Sequence, residues 1–197
     1  MAQLIVSILS SLDGYCAGPG GTLAGLPMDG TAFDAHNLDC LRRAGTLLFG
    51  ATTYPMFEGY WPQVDRSPAS DPVQREIAER VEAARKLIVS DRLRLRPDAP
   101  WAGSTTVVSR AQAHAHIRKL KAAPGPDLLI YGSHLLYCDL LAHGLVDELH
   151  LLMANVLLGG GVPTFEPGLV QQSWALRGQR RLPGSDIVAL HYDCGPQ

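Results

Sequence analysis

Long apolar runs are missing from this chain of 197 residues: the stretch Leu145 to Val156 is interrupted by Asp147, Glu148, His150 and Asn155. A bilayer span needs about 20 apolar residues in sequence, so no membrane partner is expected. An excess of either charge is missing too, with 17 Lys and Arg against 19 Asp and Glu. That balance supplies no basic surplus to neutralise phosphates, and nucleic acid is not an expected partner. The four cysteines, Cys16, Cys40, Cys138 and Cys194, form no C-x-x-C pair, which removes the common zinc-ribbon and thioredoxin patterns and leaves reduced, packed thiols. His114 and His116 lie two apart in a helical stretch, where neighbours at that spacing point in different directions, and no cysteine or carboxylate cluster accompanies them in sequence. No metal is expected. Met1-Ala2-Gln3 leads into an apolar run without the basic flank or cleavage site of a secretory signal, so a cytoplasmic location is expected. Linkers with a composition shift, fixed-period repeats and low-complexity tracts are likewise lacking, and one domain over residues 1–197 is expected.

What is present is an alternation of short apolar runs with helical stretches. Leu4 to Leu9, Thr46 to Phe49, Lys86 to Ser90, Thr105 to Val108, Asp127 to Tyr131 and Leu145 to Met153 read as strands. Between them, Thr31 to Arg43, a helix beginning near Gly50-Ala-Thr-Thr, Val73 to Ala84, Ala111 to Lys121 and Leu135 to His143 read as helices. Asp29 or Thr31, Ser109 and Ser133 are expected caps, and Pro72 a helix start. Strands separated by helices imply parallel pairing with both sheet faces covered, an α/β fold. Beyond Gly159-Gly-Gly161 the pattern changes. Ser173 to Leu182 and Ile187 to Tyr192, separated by Pro183-Gly-Ser-Asp186, predict a C-terminal antiparallel hairpin.

Ligands of open α/β sheets lie beyond the carboxyl ends of strands, which directs attention to the residues just after each run. Gly50-Ala-Thr-Thr53, Ser90-Asp91-Arg92 and Tyr131-Gly132-Ser133 place glycine, hydroxyl or cationic groups there. Two of these junctions open helices, whose free N–H groups suit a pyrophosphate, while Arg92 suits a ribose phosphate. The plainer reading is that Thr52, Thr53 and Ser133 simply cap their helices. Neither G-x-G-x-x-G nor a P-loop occurs. Ser133-His134 are adjacent and thus poorly disposed as nucleophile and base, which disfavours a hydrolase. Tyr54 to Trp61 is aromatic and reads as packing, while Trp101 and Trp174 stand in polar surroundings.

In these residues the chain resembles the dihydrofolate-reductase-like superfamily: Ser11-Leu-Asp-Gly14, Leu48-Phe-Gly-Ala-Thr-Thr-Tyr54 and Ile130-Tyr-Gly-Ser133 occur in the superfamily's order. Gly144-Leu-Val-Asp-Glu-Leu149 followed by Leu157-Leu-Gly-Gly-Gly161 and Phe165 is similar to the C-terminal reductase domain of the bifunctional riboflavin-biosynthesis deaminase/reductase. The resemblance implies a three-layer fold around a mixed sheet of eight or nine strands, a homodimer, and an NADPH-dependent oxidoreductase acting on a small heterocyclic or carbonyl-type substrate. NADH is the alternative cofactor. Position by position it implies that Gly50, Thr52, Thr53, Gly132 and Ser133 hold the cofactor phosphates, Ser90 and Arg92 face the adenosine ribose, and Gly159 and Gly160 belong to a glycine loop beside the cofactor. Two departures stand out. Ala51 occupies a position where the family commonly has arginine, weakening the case for NADPH over NADH, and Asn155-Val156 replaces a family proline before the glycine loop. The deaminase zinc signature is absent, so only the reductase half is expected.

Hydride transfer needs an oriented acceptor and one well-placed acid. Three carboxylates are candidates: Asp13 after the first strand, Asp34 early in the first helix, and Glu148 in Val-Asp-Glu-Leu. Their plainer roles are a turn residue, a favourable helix-start charge and a solvated charge, respectively. The substrates implied are the ribosylamino pyrimidine of riboflavin synthesis, then dihydrofolate; the rival is a non-catalytic nucleotide-binding or dimerisation module of the same fold.

Overall fold

The computed structural model describes residues 1–28 and 31–195, so the cap expected at Asp29 falls outside them. Along the chain come β1 (Leu4–Ser10), β2 (Tyr15–Ala17), α1 (Thr31–Arg43), β3 (Ala44–Gly50), α2 (Thr53–Tyr60), α3 (Pro72–Ala83) and β4 (Arg85–Val89). Then follow β5 (Thr105–Val108), α4 (Arg110–Ala122), β6 (Asp127–Tyr131), α5 (His134–Ala142), β7 (Glu148–Met153), β8 (Val162–Pro163), β9 (Ala175–Arg181) and β10 (Val188–Asp193). Eight strands form one sheet in the order β5-β4-β3-β6-β1-β7-β10-β9. The pairs from β5 through β7 are parallel. β10 runs antiparallel to both β7 and β9, which is the hairpin expected from the C-terminal pattern.

All seven residues of β1 are buried, because this strand lies between β6 and β7 with helices over both faces. Leu4, Val6 and Ile8 join α4 and α5 in one apolar cluster. Ile5 points the other way, into a cluster with α1, α2 and α3. The period of two along the strand thus separates the two cores. The α/β class with helices on both faces holds.

Local chemistry explains several boundaries. Asp71 accepts from the Val73 and Gln74 amides (both 2.9 Å) and Pro72 occupies the first turn, so α3 begins where its own residues satisfy the orphan N–H groups. Ser109 is a correction: its hydroxyl donates to Gln112 Oε1 instead of capping α4, and Asp91 accepts from the Arg110 amide (3.0 Å) in its place. The short β2–β8 pairing was not evident in the sequence, since two strands of three and two residues carry no periodicity. Trp101, set among polar residues in sequence, is buried and donates to Glu82 Oε2 (2.9 Å). The polar loop around it folds back over the α1–α3 side of the core.

Lys86 is buried beside it, its Nζ 4.4 Å from the Trp101 ring and donating to Glu82 O (2.9 Å). Burial brings its ammonium pKa down to about 8 from 10.5, against the smaller opposing pull of Glu82. Between those values the unfolded chain holds more protons than the folded one, so this residue's contribution to stability rises with pH. Urea unfolding of wild type and Lys86→Met at pH 7 and pH 10 should show wild type gaining about 1–3 kcal/mol relative to the variant at the higher pH. A pH-independent difference would remove Lys86 from this role.

Candidate active site

Since β3 and β6 are parallel neighbours, their carboxyl ends emerge side by side. The Gly50 amide donates to Ser133 Oγ (2.9 Å), which joins the two glycine-hydroxyl junctions directly. That bond uses the Ser133 hydroxyl, and neither Thr52 nor Ser133 makes a side-chain cap to its helix. The simple capping reading of these two residues is therefore replaced: α2 and α5 both start at the same edge of the sheet without a side-chain cap. Ser133 itself adopts φ 59° and ψ 56°, a left-handed conformation uncommon for a residue with a side chain. Thr52 is exposed, Thr53 half-buried, and Ala51 exposed beside them. A Cβ built on Gly50 would stand 3.6 Å from Ser133 Oγ, an ordinary contact, so the protein itself does not require glycine there.

At the next strand end, Ser90 Oγ accepts from the Arg92 and Leu93 amides (3.1 and 2.9 Å), closing a local turn. Beyond it lies a groove of about 360 Å³ lined by Ser90, Asp91, Leu93, Arg94, Val107 and Ser109. Both arginines are exposed; Arg94 lines this groove and Arg92 stands outside its lining.

On the other side, the loop after β1 and the glycine loop after β7 are fastened together. The Asp13 carboxylate accepts from Ser11 Oγ (2.6 Å), the Leu158 amide (3.1 Å) and the Gly159 amide (2.7 Å). Those bonds, Ser11's foremost, hold the exposed Asp13 below the usual carboxylate range, so it is an anion at neutral pH. The Leu12 amide donates to Val156 O (2.8 Å) and the Thr164 amide to Gly14 O (2.7 Å), which sets the path of the segment where Asn155-Val156 stands. Gly161 packs so closely that an added Cβ would fall 2.1 Å from Ala17 O. Leu12 and Leu157 stand 60% and 72% exposed on these joined loops. Sequence patterning gave no signal for them, because exposure of a leucine is a tertiary property. Gly160 lies in the same loop, one residue beyond the amide bound by Asp13.

The three carboxylates separate clearly. Asp13 is committed to the loop. Asp34, in the first turn of α1, accepts a hydrogen bond from Gln74 Nε2 on α3, and the buried Gln74 Oε1 has no hydrogen-bond partner among the described residues. Glu148 begins β7, at the sheet edge opposite Gly50 and Ser133, and takes two hydrogen bonds from Arg43 (both 2.8 Å) at the end of α1. Burial would raise its pKa, yet hydrogen bonds from His150 and Arg43 outweigh that and leave it below the usual carboxylate range. Glu148 is therefore not brought together with the strand-end junctions; Asp13, Gly50, Thr52, Thr53, Ser90, Gly132, Ser133 and Gly159 share the carboxyl edge. In the aromatic segment Tyr54 is buried and Phe57 and Trp61 pack on the same core, consistent with packing, while Tyr60 is exposed.

The model of the RibD C-terminal domain family matches residues 2–188. The uncharacterised protein YyaP of Bacillus subtilis strain 168 is 27% identical over 164 residues, 83% of this chain and 80% of YyaP. A solved structure from Shewanella sp. PV-4, of a protein assigned provisionally to riboflavin biosynthesis, superposes with a TM-score of 0.68 at 23% identity and covers 98% of both chains. Dihydrofolate reductase from Enterococcus faecalis, solved in complex with NADP(H) and RAB-propyl, gives a TM-score of 0.59 at 12% identity over 97% of this chain and 95% of that one. These likenesses establish a dihydrofolate-reductase-like fold.

Asp13→Ala should speed hydrogen exchange at the Leu158 and Gly159 amides while leaving β1 and β6 protected, as read by mass spectrometry; unchanged exchange in that loop would show that Asp13 does not fasten it. Gly50→Ala should leave the melting temperature within about 2 °C of wild type, since its Cβ meets no hard contact.

Proposed function

Because the chain belongs to the RibD C-terminal domain family, we propose that it is a single-domain NADPH-dependent reductase of a small heterocyclic or carbonyl-type substrate. The observation that carries this reading is the Gly50–Ser133 hydrogen bond, which sets two uncapped helix N-termini side by side at one edge of the sheet. Helix starts concentrate N–H groups and the positive end of the helix dipole, and thus fit a dinucleotide pyrophosphate. Gly50, Thr52, Thr53, Gly132 and Ser133 would hold the phosphates, with the absence of a Cβ at Gly50 allowing close approach. Ser90, Arg94 and Arg92 would take the adenosine end, and the two arginines stand in for the cation missing at Ala51. When bound, the dinucleotide supplies the hydride.

The chain's own residues then have three tasks. Leu12 and Leu157 would shield the reacting face from water, Asp13 would hold Gly159 and Gly160 in place beneath it, and Asp34 would orient the acceptor and hold the proton it needs. Asp34 is favoured among the carboxylates because Asp13 is an exposed anion already bound to three donors, and Glu148 lies at the far edge of the sheet. The likeness to a provisional riboflavin-biosynthesis protein favours the ribosylamino pyrimidine as acceptor, with dihydrofolate second. A homodimer is part of the proposal and is read by sedimentation.

The test combines thermal shift with turnover. NADPH should raise the melting temperature more than NADH does, by mass action on the folded state. Gly50→Ala should abolish most of that shift and Arg94→Ala should weaken NADPH more than NADH. Oxidation of NADPH, followed at its absorbance band, should require the pyrimidine substrate. Binding without turnover of any acceptor would instead favour the non-catalytic module, and no shift with either nucleotide would overturn nucleotide binding itself.

A further inference from the structure

Away from the strand-end site, α1 faces β7 across a cluster of chemistry-bearing side chains that the proposed reaction does not use. His36 and Cys40 lie four residues apart on α1, hence on one face of the helix, and both are buried. His150 meets them from β7: its Nδ1 is 3.3 Å from His36 Nε2 and 3.7 Å from Cys40 Sγ. One ligand atom from each of the three lies within 4.8 Å of the other two. A tetrahedral zinc ion with Zn–N near 2.05 Å and Zn–S near 2.3 Å requires ligand separations of roughly 3.4–3.6 Å. The two separations from His150 Nδ1 therefore stand at about the spacing such an ion imposes, and the third, between His36 Nε2 and Cys40 Sγ, is within reach of it.

We propose that His36 Nε2, Cys40 Sγ and His150 Nδ1 form a three-ligand Zn²⁺ site, completed by water, that fastens α1 to the sheet. The surrounding groups fit this assignment. His150 Nε2 faces Glu148 Oε2 at 3.4 Å, and Glu148 is gripped by Arg43 through two bonds. A metal-binding imidazole whose other nitrogen donates to a carboxylate is oriented and made more basic by it. His191, from β10, stacks on His150 with ring centroids 4.3 Å apart and is 35% exposed, marking the side from which solvent and an ion can enter. Arg180 Nη2 lies 3.2 Å from His36 Nδ1. That nitrogen carries a proton when Nε2 binds metal, so Arg180 must swing toward Asp39 Oδ2, now 3.5 Å away. Binding breaks the Cys40 S–H bond, its proton going to solvent, and displaces water from the hydrated ion as one Zn–S and two Zn–N bonds form, with no change of oxidation state. The mixed sulfur and nitrogen set selects zinc or cobalt over magnesium or calcium. Because α1 also carries Asp34, the ion would set the position of the helix that borders the acceptor.

Two other clusters compete: His114, Asp139 and His143 at the surface must be silenced before binding is read, whereas Glu148, His150 and His191 contain no sulfur and are told apart by the thiolate band. In a His114→Ala/His143→Ala background, Co²⁺ should bind one to one and produce a thiolate-to-metal charge-transfer band with strong tetrahedral d–d absorption. Cys40→Ser should remove the charge-transfer band and His150→Gln should weaken binding at least tenfold, whereas Cys16→Ser and Cys194→Ser should change neither. Glu148→Gln should weaken binding by about 10-fold or more. X-ray absorption of zinc-loaded wild type requires no variant to fold, and it should show one sulfur and two imidazole nitrogens. A shell of nitrogen and oxygen alone, a band that survives Cys40→Ser, or no Co²⁺ binding in the double-alanine background overturns the site.

Discussion

Parallel strands cannot be joined by a tight turn, and this constraint organises the molecule. Each of β1, β3, β4, β5 and β6 must leave the sheet at its carboxyl end and return along a crossover, so their ends collect on one edge. That edge carries the unspent polar backbone of two helix starts. The opposite edge receives the ends of the returning helices and the starts of the strands, and there Arg43 of α1 ties together Glu148 of β7 and Asp127 of β6. Topology thereby separates the two uncapped helix starts from this ion-pair cluster.

The same constraint leaves the loops after β1 and β7 as neighbours, and both are irregular. Backbone bonds from Leu12 to Val156 and from Thr164 to Gly14 join them, Val156 and Leu158 pack on the core, and further ties come from a side chain. Asp13 supplies the ties: one anionic side chain accepts from two amides of the glycine loop and from its own turn. Ser10 and Thr164 add a buried hydroxyl pair at 2.6 Å beneath them. A charged acceptor makes stronger hydrogen bonds than a neutral one, so a carboxylate suits this position better than an amide or hydroxyl would.

Much of this could be read in advance where local pattern and local chemistry agree. The apolar runs located the strands to within a residue or two, except that β7 starts at Glu148 and not at Leu145. There Leu145 and Val146 are buried without joining the sheet, and burial alone does not distinguish the two cases. The glycine-hydroxyl junctions were recognisable from residue type and from their place after a strand. Glu148 was misleading for a different reason. Its chemistry suits a site, but which end of a strand a residue occupies relative to other strands' ends depends on strand direction and order. The cap at Ser133 failed because a hydroxyl has competing partners, and the Gly50 amide across the sheet prevailed over its own helix, while Thr52 makes no side-chain cap to α2.

From the sequence by itself came the α/β class, the C-terminal hairpin and the residue types at each strand end, because these follow from periodicity and from the backbone demands of turns, which are local. Tertiary structure decided what those residues do together: that Gly50 meets Ser133, that Arg94 lines the groove near Ser90, that Asp13 binds the glycine loop, and that His150 meets His36 and Cys40 from 110 or more residues away. The physical reason is that hydrogen bonds, ion pairs and metal chelation act over about 2–4 Å. Such distances between remote segments are set only when strand order and register bring them into contact.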